Sequence, residues 1–159
     1  MQQYYIKNNT LNLKVKKSPI LVRTVMFGLA FSFFVFPVIG VISSIASGLH
    51  FSYFIAIGVF SLVGFYTLRI SLWNTYGEET FHIVENKIIY EVNYGWFKDG
   101  KKETLISNPD YFSAQAGYEE DNEGVLVIAS EESKIESVVK MPKIQLEELI
   151  MILKKRSKL

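Results

Sequence analysis

Hydrophobic and polar positions divide the chain into three regimes. Around residues 10–16 the order Thr-Leu-Asn-Leu-Lys-Val-Lys alternates, with Leu11, Leu13 and Val15 on one side and polar residues on the other. A period of two predicts a half-buried β-strand. From Thr24 to Leu68 there is no Asp, Glu, Lys or Arg. A bilayer core takes roughly 20 apolar residues as one helix, so this stretch is long enough for two. The polar and small residues Ser47, Gly48, His50 and Ser52 mark the break. Ser18-Pro19 starts the first helix, because serine caps free N–H groups and proline at the first turn has none to satisfy. It runs to about Ala46 with Pro37 inside it, and the second covers about 51–73. An apolar run this long exceeds a signal-peptide core, so the small-residue site at Ser44-Ile45-Ala46 is not expected to be cleaved.

Beyond residue 74 the pattern returns to short strands. They are expected at 80–84, 88–94, 102–107, 111–116, 125–129 and 135–141. Glu85-Asn86-Lys87 reads as a hairpin turn, Asp99-Gly100 as a second, and Gly117 to Gly124 as an acidic turn. After Pro142 the period changes. Ile144, Leu146, Leu149, Ile150 and Leu153 form a stripe at helical spacing, predicting an amphipathic helix over 143–155. The division is therefore an N-terminal arm (1–17) whose strand joins the C-terminal domain, a two-helix hairpin (18–73) and a β-rich domain (74–159).

Charge gives the orientation. The arm carries Lys7, Lys14, Lys16 and Lys17, Arg23 lies at the start of the first helix and Arg69 one turn inside the end of the second, and the connecting turn has only His50. The positive-inside rule places both termini in the cytoplasm of a multi-pass membrane protein. Lys16, Lys17, Arg23, Arg69 and Trp73 are the expected interface anchors, Arg69 by reaching from one turn inside. Gly40, Ser44 and Gly48 recur every four residues, a spacing that lets helix backbones approach. Packing within the hairpin and homo-oligomerisation both fit it.

Candidate chemistry is sparse. There is no cysteine, hence no disulfide framework and no thiolate nucleophile. His50 and His82 fall on opposite sides of the membrane and form no pair. The cluster Glu119-Glu120-Asp121-Asn122-Glu123 lacks calcium-loop spacing and reads as a solvated turn. No serine has a nucleophile-elbow setting, no glycine-rich phosphate loop occurs, and no nucleic-acid motif appears. No catalytic residue, metal or cofactor is expected, and the enzyme class is set aside. Trp96 and Phe97, with Lys98, Lys101 and Lys102, sit by a hairpin as either core plug or contact for lipid or protein.

The element order over 80–155, led by Leu72-Trp73-Asn74-Thr75-Tyr76-Gly77, resembles small bacterial two-helix membrane proteins with a C-terminal pleckstrin-homology-like domain. That resemblance implies a bent antiparallel barrel of about seven strands closed by the C-terminal helix, at the bacterial inner membrane. It also implies a binding or scaffolding role. The basic headgroup loop of lipid-binding members is absent, since Glu85-Asn86-Lys87 opposes its one lysine with a glutamate. A protein partner at the cytoplasmic face is the expectation. The alternative is an accessory subunit of a transporter or channel, acting through the hairpin.

Overall fold

The computed structural model describes residues 2–44, 48, 50–131 and 133–157. Ser47 and the adjoining Leu49 of the expected break, and Ile45 and Ala46 of the small-residue site, lie outside the described residues, as does Lys158 of the basic C-terminal run Lys154-Lys155-Arg156-Ser157-Lys158. The chain forms two compact units, one built from residues 1–16 and 76–159, the other from 17–75.

The second unit is an antiparallel pair of helices, α1 (Ile20–Ser44) and α2 (Phe51–Tyr76). Both are long and apolar enough to cross a bilayer. Their side chains point mostly outward, as lipid-facing helices require. The hydroxyls of Ser43, Ser44, Thr67 and Ser71 bond the carbonyl one turn back, so they present no unmet polar group. The helices approach closely at Gly64. A Cβ there would lie 2.9 Å from the Phe34 ring and 3.1 Å from Phe33 Cβ, and Phe33 stacks obliquely on Phe60. The glycine is required by the contact, which repays its cost within a helix.

Among the described residues the first unit holds nine strands in two antiparallel sheets and one α-helix. The first sheet runs β1 (Tyr4–Lys7), β2 (Thr10–Lys14), β3 (Glu78–Val84), β4 (Lys87–Asn93) and β5 (Lys98–Leu105) in order. The second consists of β6 (Asp110–Gln115), β7 (Glu123–Ala129) and β8 (Lys134–Glu136), with β9 (Met141–Pro142) also on β7. Helix α3 (Lys143–Arg156) packs on β6, β7 and β9. The arm lies inside the first sheet: Leu11 pairs with Phe81 and Leu13 with Glu79, and Leu11, Leu13 and Phe81 are completely buried.

Several details differ from the sequence-based expectation. The arm contributes two strands, because Asn8 at φ 53° turns Tyr4–Lys7 back onto β2. Among the described residues no strand pairing joins the sheets, so there is no closed seven-stranded barrel. Asp99-Gly100 is no turn but part of β5, where Gly100 at φ 66° sits at a register shift opposite Glu91, a bulge that glycine accommodates. The hairpin turn lies earlier, between Asn93 and Lys98. At the β3–β4 turn Glu85, and not Asn86, takes the positive φ, 37°. The strand expected at 135–141 is interrupted between β8 and β9. Leu146, Leu149 and Leu153 are buried as the α3 stripe requires, but Ile144 is exposed.

Candidate functional site

The sheet register sorts the loops of the first unit into two ends. Lys14, Glu78, Asn93 and Lys98 align at one end, where the chain leaves for α1 and returns from α2. Thr10 pairs with His82, and Lys87 with Leu105, near the other. The β1–β2, β3–β4 and β5–β6 loops gather at this far end and are stitched by main-chain bonds. Ile83 N–H donates to Asn9 O at 2.8 Å, and Ile106 N–H to Asn86 O at 2.9 Å. Arg156 Nη1 of α3 donates to Asn8 O at 2.9 Å.

Between these loops open two adjoining clefts of about 490 and 330 Å³ that share Asn86 and Asn108. The larger is lined by Leu105, Ser107, Ser130 and Glu131 as well. Its wall is braced where Ser133 Oγ donates to Leu105 O at 2.5 Å and meets Ser130 Oγ at 3.1 Å. The smaller has Leu11, Tyr111 and Leu153 in its lining and Asn8, Asn9 and Arg156 on its rim. Amides offer both donors and acceptors, and Leu105 is 77% exposed beside them. Such a lining offers hydrogen bonds in both directions beside one apolar side chain. No sequence signal beyond turn-forming asparagines marked it.

At the opposite end the β4–β5 hairpin carries the aromatics expected there. Tyr94 is buried and stacks on Phe97 at 4.9 Å between centroids, while Trp96 stays 61% exposed. Lys98 pairs with Glu91 at 2.7 Å. Lys101 and Lys102 lie further along β5, fully on the surface, so the structure brings Trp96, Phe97 and Lys98 together and sets the other two lysines behind them.

Of the expected anchors, Lys16 and Lys17 are exposed, and Arg23, Arg69 and Trp73 half-buried. In the helix pair, Gly40 borders an apolar cleft of about 240 Å³ with Pro37, Tyr53 and Phe60, and a Cβ on it would meet nothing within 4 Å. Gly48 is equally open, and Ser44 bonds its own helix. The close helix contact belongs to Gly64 instead.

The residue that sequence reasoning missed is Glu79. It is fully buried, and its Oε1 accepts from Tyr90 Oη at 2.5 Å and Val138 N–H at 2.8 Å. Its Oε2 accepts from Val139 N–H at 2.8 Å and Val138 N–H at 3.1 Å. Glu79 thereby clasps β3 of one sheet to the segment between β8 and β9 of the other. Gln3 makes a second clasp, donating through Nε2 to Lys140 O at 3.0 Å and Lys14 O at 3.2 Å. Burial pushes the Glu79 carboxyl above its usual range, while Tyr90 and the two N–H groups pull it back. The same burial, with the Glu79 bond, raises the Tyr90 phenol. Neighbouring Glu78 faces the other way and accepts from Tyr5 Oη at 2.6 Å, which pushes that phenol up to about 12. Consecutive glutamates in a strand necessarily point to opposite faces, the one sequence signal that could have found the buried member.

His82 Nδ1 is 2.9 Å from Thr10 Oγ1 in the strand pair. The acidic cluster forms a short 3-10 turn, Glu119–Asp121. Among the described residues no group of three His, Asp or Glu stands close enough to hold a metal ion. Neither protein-family models, nor curated protein sequences, nor solved structures match this chain.

Proposed function

We propose that the protein is a membrane-anchored adaptor, its two apolar helices crossing a bacterial inner membrane and its β-domain binding a protein partner at the cytoplasmic face. One observation carries this reading: the pre-built cleft around Asn86 and Asn108 is lined by amides, hydroxyls and an exposed leucine. Such a lining recognises a polypeptide segment by hydrogen bonds and one apolar contact. The cleft lies at the sheet end away from Lys14 and Glu78. The PH-like assignment is part of the proposal, supported by the order of antiparallel strands and closing helix; function follows from the cleft and not from that likeness.

Purification of the full chain in mild detergent, with quantitative mass spectrometry, tests the proposal. The expected result is a partner retained by the wild type and lost, about tenfold or more, in the double variant Asn86→Ala, Leu105→Asp. Both positions are exposed, so folding should be unaffected. A partner retained equally by that variant and by the isolated helix pair would favour the accessory-subunit alternative.

A further inference from the structure

We infer that the β4–β5 hairpin is an interfacial anchor: Trp96 seats in the anionic headgroup layer of the bilayer, backed by Lys101 and Lys102. The inference goes beyond the adaptor proposal and rests on its reading of α1 and α2 as spanning helices. The hairpin tip belongs to the sheet end from which the chain passes to those helices, since Asn93 aligns with Glu78 and Glu78 with Lys14. It also packs closely against Tyr76, within the same compact unit. A Cβ on Gly95, at φ 87°, would lie 2.7 Å from Cβ of Tyr76, the last residue of α2. Only glycine permits so close an approach in that conformation.

Tyr76 follows directly on the apolar run of α2 in sequence, and aromatic side chains at the end of such a run favour the headgroup layer. Tyr94 and Phe97 stack to brace the tip, leaving the tryptophan as its outward face, 61% exposed. Tryptophan is the side chain best matched to that layer, with an apolar ring and one N–H for water or headgroups. Lys101 and Lys102 are exposed and supply the positive charge that an anionic leaflet attracts.

The chain has two tryptophans, so single substitutions isolate each. The full-length Trp73→Phe variant in lipid nanodiscs leaves Trp96 as reporter, and Trp96→Phe leaves Trp73 to report on α2 itself. Lipids spin-labelled at a shallow acyl carbon should quench Trp96 by roughly half, with deeper labels quenching it less. Quenching should increase when anionic phosphatidylglycerol replaces part of the phosphatidylcholine, and the increase should vanish in Lys101→Glu, Lys102→Glu. Trp96 unquenched by lipid but open to aqueous iodide would overturn the inference while Trp73 stays quenched. Trp96 shielded from both quenchers would overturn it in favour of a protein contact. If Trp73 too escapes lipid quenching, the spanning reading and the anchor fall together.

Discussion

Replacing Glu79 by alanine is expected to destabilise the β-domain by about 3–5 kcal/mol. Alanine leaves three donors without an acceptor, the buried N–H of Val139 and the part-buried Tyr90 Oη and Val138 N–H, at about 1–3 kcal/mol for a fully buried one and less for the others. It also opens the clasp between the two sheets. Glutamine should cost less, about 1–2 kcal/mol, because its carbonyl can keep the Oε2 bonds while its amide donates to Tyr90 Oη. The pH dependence separates the two forms further. Burial raises the Glu79 pKa above its ordinary 4.5, so the folded chain holds this proton to higher pH than the unfolded chain. The group's stabilising contribution is complete below the unfolded value and is lost as pH rises through the folded one. Wild type should therefore lose stability over that interval, and Glu79→Gln should not. Denaturant unfolding of the full chain in micelles at several pH values measures both effects. An alanine variant as stable as wild type would show that the clasp contributes nothing.

Leu149→Ala should cost about 2–5 kcal/mol through the cavity it leaves, lowering the unfolding temperature of the domain by about 10 °C or more. Leu149 is fully buried, like Leu146, where α3 covers β6, β7 and β9. The opposing possibility is a helix lying on lipid. Glu147 and Glu148 are exposed on the first half of α3, and acid facing an anionic leaflet is unfavourable. Two of the three basic residues of its last turn are engaged within the domain, Lys154 with Asp110 at 3.1 Å and Arg156 with Asn8 O. Lys154 and the Tyr111 N–H hold the Asp110 carboxyl below its usual range. A variant that kept its thermal stability and lost only membrane association would assign the helix to the bilayer.

What was legible in the chain followed from how local each cause is. The helices declare themselves because a charge-free stretch has few other uses. Strand β2 shows in the alternation of Leu11 and Leu13, whereas β1 has no such alternation and exists through its pairing with β2. The Asp99-Gly100 pair misleads because a bulge and a turn both need a residue tolerant of positive φ. Gly40, Ser44 and Gly48 carry the small-residue spacing, yet the tight contact forms at Gly64, where the deciding atoms are the rings of another helix. Glu79 was least legible of all, since its backbone partners lie 59 and 60 residues away. The clefts are built from loops that sequence marks only as turns.

The central claim, a helix pair in the membrane holding a domain made from both ends of the chain on its cytoplasmic side, is tested most directly by cysteine labelling. The chain has no cysteine of its own, so Lys7→Cys, Glu131→Cys and His50→Cys each give one site, all exposed. With a membrane-impermeant maleimide, residue 50 should react in intact cells, and residues 7 and 131 only after the membrane is opened. Labelling of residues 7 and 131 in intact cells would contradict the orientation. Labelling of only one of the two would contradict the sheet, because β2 and β3 cannot pair across a bilayer.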